Sequence, residues 1–289
     1  MKFIYSFVFA FLLMFTSYGK QANSEILLSS IEMSPLDKEI VTKILHELNK
    51  DKDVGTGKLV VKVGKLLLAT PYVGNTLEIG DSEKLVVNLR QLDCTTFAEN
   101  CLALARTVQH QNPTFDGFTK ELLAIRYRDG QLDQYPSRLH YFSDWIYNNS
   151  QKGYVLSLSK QIANTPIKKS IDFMTQHVSS YPALKSHPEF IKIIASQESE
   201  ISNRQTFYIP KDKFEQFEAQ LQDGDILGIT TTMTGMDIAH VVIALRIDGR
   251  IHIMHASQSA MKVIISTETL EVYLNSAKSR TGVMVARPL

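Results

Sequence analysis

Apolar positions along this chain follow two periods. Through the first two thirds they recur at intervals of three and four, as in helices packed by one face. From about residue 220 onward they form short β-rich runs separated by turn residues, as in strands. After a loose lead-in at Ile26–Met33, Ser34 stands where a helix cap is wanted. Leu36, Ile40, Ile44, Leu45 and Leu48 then supply one apolar face. A second helix is predicted from Thr56 to Leu68, stopped by Thr70-Pro71. Pro71–Arg90 is rich in turn residues and leads into LDCTTFAENC, Leu92–Cys101. There Cys94, Phe97, Cys101, Leu104 and Val108 have the spacing of a buried helical stripe, with Asp93 placed to cap it.

Phe118–Ser150 is crowded with polar aromatics. RYRDGQ (Arg126–Gln131) predicts a strand and an Asp-Gly turn. SRLHYFSDWIYNN (Ser137–Asn149) reads either as a half-buried helix anchored by its aromatics or as a ligand-gripping segment, with Arg138, His140, Tyr141 and Trp145 as the grip. Gln151–Tyr208 predicts helices and loops, with His177 and His187 at the surface. Beyond it come a buried strand at Gly224–Thr230, a connection TTMTGMDI, and a strand at His240–Ile247. Asp248-Gly249 turns that strand into Arg250–His255, a strong hairpin signal. Lys262–Ser266 predicts a strand, Thr267–Ser279 a helix and Gly282–Arg287 a closing strand.

The hairpin brings chemistry together. With Asp248 and Gly249 as the central turn residues, His240 faces Ser257 and His255 faces Val242. Alternation puts both histidines on one side, as diagonal neighbours about 7–8 Å apart at the backbone. His252 points the other way.

Composition alters this picture little. A chain of 289 residues with 44% hydrophobic and 21% charged side chains is an ordinary globular protein. Its net charge of +1, without a basic block, argues against nucleic acid as a partner. The N-terminus matters more. Lys2, an apolar run from Phe3 to Phe15, then Ser17 and Gly19 have the form of a secretory signal, and the run is short for a membrane span. The expectation is a signal peptide at 1–19, a mature chain from about Lys20, a periplasmic or secreted location, and no integral span after cleavage.

Export sharpens the meaning of Cys94 and Cys101, the two cysteines of the chain. Seven helical residues separate their α-carbons by about 10 Å, beyond disulfide reach. Unpaired thiols are unusual in an exported protein, which points to a functional one. At a helix start, Cys94 would meet partial positive charge and free N–H groups that favour a thiolate. His240 and His255 suit either a base with its orienting partner or a metal site. A zinc site would need further ligands, with Cys94 and Asp237 as the candidates. A relay needs none: His240 takes the thiol proton and His255 fixes its tautomer.

TPYVGNTLE, LDCTTFAEN, SRLHYFSDWI, GMDIAHVVIAL, IMHASQSAMKV and the ending GVMVARPL together resemble the N-acetylmuramoyl-L-alanine amidase-like family, within the NlpC-type, papain-like cysteine hydrolases of bacterial cell walls. The likeness runs from about Gly64 to Leu289. It implies an α+β fold with the nucleophile helix packed on an antiparallel sheet. It implies one domain over 20–289, with an N-terminal helical part at 34–90, a helical insertion at about 110–210 and a sheet-rich part at 220–289. It makes Cys94 the nucleophile, His240 the base and His255 the third polar member, with no metal and no cofactor. Tyr72 becomes a candidate contact at the peptide-stem pocket. Val73-Gly74-Asn75 stands where the wider superfamily often has glycines, and the insertion is longer than in compact members. Further candidate substrate contacts are Arg126, Tyr127, Arg138, His140, Tyr141 and Asp237. The implied substrate is peptidoglycan or its muropeptide fragments. The bond cut is muramoyl–L-alanine or D-glutamyl–diamino acid; a catalytically idle wall-binding module is the alternative from another class.

Overall fold

Asp93 fixes where the central helix begins. Its carboxylate accepts the Thr96 N–H at 2.8 Å, while Thr96 Oγ1 accepts the Asp93 N–H at 2.9 Å. This reciprocal cap satisfies two backbone donors at once. The computed structural model describes residues 31–289, so the expected signal peptide at 1–19 and most of the lead-in lie outside the described residues. In chain order the elements are β1 (Ile31–Met33), α1 (Pro35–Leu48), α2 (Thr56–Leu66), β2 (Leu85–Val87), α3 (Cys94–Val108), α4 (Phe115–Arg126), α5 (Phe142–Gln151), β3 (Val155–Ser157), β4 (Thr165–Ile167), α6 (Glu189–Asn203), β5 (Thr206–Pro210), β6 (Ile226–Thr231), β7 (Ile238–Ile247), β8 (Arg250–Ser257), β9 (Lys262–Thr269), α7 (Leu270–Asn275) and β10 (Arg280–Pro288). Short helical turns join several of them.

The architecture is α+β. An antiparallel sheet in the order β4-β5-β10-β6-β7-β8-β9, with β3 also paired to β10, carries helices on both faces. Val241, Ile243, Met254, Ala256 and Met284 form one core with side chains of α1 to α4. Val242, Ala244, Ile251, Ile253, Val283 and Val285 pack on the opposite side with Leu270 and Leu274 of α7. A third cluster, including Tyr141, Met174, Leu184, Phe190 and Ile194, draws together the segment between Tyr135 and Ile201.

From Phe97 onward the predicted stripe on α3 is buried, with Cys94 at its head half-buried, but so is almost everything else on the helix from Thr96 to Ala105. The helix lies between the sheet and α1, α2 and α4, so no face is left for solvent. One charge is accommodated there: Glu99 pairs with Arg126 Nε at 2.7 Å, and Arg126 Nη1 donates to the Val86 carbonyl at 2.6 Å. A buried carboxylate needs such a partner.

The structure corrects several expectations. Ile31–Met33, expected to be loose, is a strand parallel to β2. Gln151–Tyr208 is not all helix and loop, since β3, β4 and part of β5 arise there and join the sheet. Tyr127 makes only an isolated bridge to Arg138, because α4 continues to Arg126 and the Asp129–Gly130 turn follows at once. The helix expected at Thr267–Ser279 is confined to Leu270–Asn275, its first residues being taken into β9.

Gly228 on β6 shapes the ground near the site. A Cβ there would stand 2.4 Å from Phe142 Cδ1, so glycine lets that ring lie on the strand. Phe142 in turn stacks on Trp145 with ring centroids 5.3 Å apart.

Candidate active site

The hairpin forms in the register its turn dictates. Asp248 and Gly249 both have positive φ, at 48° and 84°, and Ile247 pairs with Arg250, Ala244 with Ile253 and Ile243 with Met254. The ladder stops there. Toward His240 the strands carry no further pairs, and the β6–β7 register shifts at Ala239, a bulge beside His240. In this parted end the imidazoles meet: His240 Nε2 lies 2.6 Å from His255 Nδ1, with the rings nearly perpendicular. His252 bonds the Ser266 carbonyl instead and takes no part.

Helix α3 packs against both β7 and β8 and brings Cys94 to the same place. The backbone N–H of Val241 donates toward the Cys94 sulfur, and the Thr95 backbone N–H and hydroxyl lean on it as well. Cys94, Thr95 and His240 line one cleft of about 260 Å³. Its other walls include His140, Tyr141, Phe142, Trp145, Phe173, Tyr181 and Asp237, so the segment from Leu139 to Tyr181 supplies much of the surface. The Thr96 N–H goes to Asp93 Oδ1 and the Phe97 N–H to the Asp93 carbonyl. Among the described residues the Cys94 N–H has no acceptor and stays free for a ligand oxygen.

Electrostatics depart from the sequence expectation. The helix start was expected to favour a thiolate, but burial, reinforced by the Asp93 carboxylate, pushes the Cys94 thiol up to about 11. Desolvation outweighs the nearby N–H donors. Burial, its neighbour His255 and Arg280 push His240 down to about 3, and burial with Arg280 pushes His255 down to about 4. At neutral pH the resting site is therefore thiol and neutral imidazoles. Alkylation of Cys94 should accordingly accelerate with rising pH through the alkaline range, with no plateau below neutrality. Cys101, buried among core side chains, should stay unlabelled in the folded protein. Iodoacetamide labelling followed by peptide mass spectrometry checks both statements; an acidic plateau for Cys94 would contradict the first.

The remaining candidates divide. Tyr72 hydrogen-bonds through its backbone to Met261 and sits close enough to Cys94 and Asp93 that their charges, after burial itself, raise its hydroxyl. His140 lines the cleft, with Nε2–H donating to the Tyr135 carbonyl at 2.9 Å, and burial holds it neutral at about 3. Tyr141 presents its ring, since its hydroxyl is spent on Glu198 Oε1 at 2.6 Å. Asp237 lines the cleft, but its oxygens accept the Ser143 and Ile238 N–H groups.

Arg126, Tyr127 and Arg138 are placed elsewhere. Arg126 is 1% exposed in its pair with Glu99. Tyr127, also 1% exposed, donates its hydroxyl to Glu83 at 2.8 Å. Arg138, 5% exposed, pairs with Glu78 at 2.8 Å and Glu83 at 3.4 Å. None lines the cleft, so the expectation of ligand contacts at these three is corrected to buried ion-pair and hydrogen-bond roles. Thr95, Phe173, Met174 and Tyr181 are cleft residues that sequence reasoning missed. Thr95 alone had a signal, its place beside Cys94 at the helix start. A metal set of Cys94, Asp237 and the histidines does not form: among the described residues no three His, Cys, Asp or Glu side chains converge as ligands.

Fold and cleft thus define an α+β protein with a half-buried thiol at a helix start beside an imidazole pair. The family model described as N-acetylmuramoyl-L-alanine amidase-like matches residues 62–283, and the chain belongs to that family. It is similar in structure to an N-acetylmuramoyl-L-alanine amidase from Bacteroides uniformis, at 35% identity and a TM-score of 0.78 over 81% of this chain and 99% of that one. A Bacteroides fragilis protein described as a proposed xylanase is 38% identical, with a TM-score of 0.75 over 78% of this chain and 99% of its own. A Legionella pneumophila protein at 19% identity has a TM-score of 0.65 over 87% and 94%, a likeness of fold alone. No curated protein matches the chain.

Proposed function

We propose that this protein is an exported cysteine hydrolase of the papain-like, NlpC type that cuts an amide bond in peptidoglycan or its soluble fragments, with Cys94, His240 and His255 as its triad. The observation that carries the reading is the 2.6 Å contact between His240 and His255 at the cleft that Cys94 lines. For His240 to act as a base through Nδ1, its Nε2–H must donate to His255 Nδ1, which fixes both tautomers. As Cys94 Sγ bonds to the amide carbon, its proton passes to His240 Nδ1. The free Cys94 N–H steadies the oxyanion. Collapse breaks the C–N bond while His240 protonates the leaving amine, and water then releases the acyl group.

The family description favours the muramoyl–L-alanine amide as the bond; a D-glutamyl–diamino acid endopeptidase uses the same chemistry. A glycosidase such as the proposed xylanase needs a carboxyl pair across its cleft. The one carboxylate lining this cleft, Asp237, is already bound to two N–H groups. Purified protein incubated with defined muropeptides, with products weighed by mass spectrometry, tests the reading. Free stem peptide plus lactyl-sugar acid supports it. Cleavage of sugar–sugar bonds, or none of any bond, would refute it.

Export belongs to the same proposal. It is supported by the 1–19 pattern. N-terminal sequencing of protein recovered outside the cytoplasm should read from about Lys20, whereas a start at Met1 would contradict cleavage.

A further inference from the structure

The side of the histidine pair away from the cleft is built in layers. Tyr273 of α7 lies against both imidazoles, its ring centroid 6.5 Å from that of His240 and 6.0 Å from that of His255. Arg280 of β10 stacks its guanidinium 3.7 Å over that tyrosine ring. The guanidinium is held in register, since Nη1 donates to the Tyr273 carbonyl and to Ser276 Oγ. His240 lines the cleft, but His255, Tyr273 and Arg280 do not. Of this group, His240 is the member that faces the cleft.

We propose that Arg280, stacked across Tyr273, is a positioning residue for the His240–His255 pair, its guanidinium a fixed charge set behind the tyrosine that lies against both rings. The proposal rests on the role given to His240 above. A cation on the far side of the tyrosine ring repels a second positive charge on either imidazole, across a ring that is tilted to His240 and edge-on to His255. The other groups around the pair do not do this. Cys94 on α3 is protonated at rest; Tyr72 and Asp93 lie beyond it. Asp237, at the head of β7, spends its charge on N–H donors, and Lys262 on β9 stands exposed at the strand end. Burial is the larger cause that disfavours a proton on either ring, and among the described residues Arg280 is the cation whose charge adds to it on both. Such a device suits a compartment whose pH follows the surroundings of the cell.

Removing the charge should let the pair bind a proton at higher pH, so the base is lost sooner on acidification. With imidazoles labelled with nitrogen-15, NMR titration of R280Q should place the pair's apparent transitions about 0.5–1 pH unit above wild type. The acid limb of kcat/KM should move up with them, while R280K, which keeps the charge, should leave both near their wild-type positions. A titration unmoved in R280Q would overturn the proposal, and so would equal movement in R280K and R280Q, which marks a lost contact rather than a lost charge. The titration reads the imidazoles directly. It therefore fails or holds independently of whether muropeptides are the substrate.

Discussion

Cys94→Ala is expected to reduce muropeptide cleavage at least about 10⁴-fold, to a level set by whatever residual stabilisation the cleft retains. No other nucleophile in the cleft has the same three supports. The Asp93–Thr96 cap holds Cys94 at the first helical position, its own N–H is free for the oxyanion, and His240 lines the same cleft. Thr95 follows it, but its hydroxyl and N–H lean on the sulfur. The substitution should leave the fold intact, because alanine suits a helix start whose cap comes from Asp93, and the melting transition checks this. Wild-type rates in folded Cys94→Ala would end the cysteine reading.

The second large effect separates the histidines. His240→Ala should cost about 10²–10⁴-fold in kcat/KM, since it removes both the base and the proton donor for the leaving amine. His255→Ala should cost less, because water can partly replace a partner that only orients another ring. The double variant should be little worse than His240→Ala, because an orienting group has nothing to orient once the base is gone. Additive losses in the four-variant cycle would mean that the two rings act separately. The pH profile adds a sign. Activity needs neutral His240 and the Cys94 proton that it receives, so kcat/KM should be level through neutrality. Its acid limb should fall below 6.5 and its alkaline limb above 9, following the direction in which burial moves each group.

The sequence was legible where contacts are local. The Cys94 helix begins where Asp93 can cap it, and the Asp248-Gly249 turn sets a register that delivers His240 to His255. What failed was nonlocal. Arg126, Tyr127 and Arg138 looked like ligand contacts because their buried partners, Glu99, Glu83 and Glu78, stand 27, 44 and 60 residues away. β3 and β4 have only three residues each, too few for an alternating pattern, and exist because longer strands pair with them. The Cys94 thiol was misjudged for a related reason. The helix start that stabilises a thiolate is visible in five residues, whereas the burial that opposes it depends on distant parts of the chain, such as β7, whose Val241 N–H reaches the sulfur, and the nearby Tyr72.

The account stands most directly on a covalent bond between substrate and Cys94. Rapid acid quenching of enzyme mixed with excess muropeptide, followed by peptide mass spectrometry, should find the acyl fragment as a thioester on the peptide containing Cys94. The adduct should appear and decay at rates that account for turnover. Turnover without any such adduct when deacylation has been slowed, or an acyl group carried on another side chain, would contradict it.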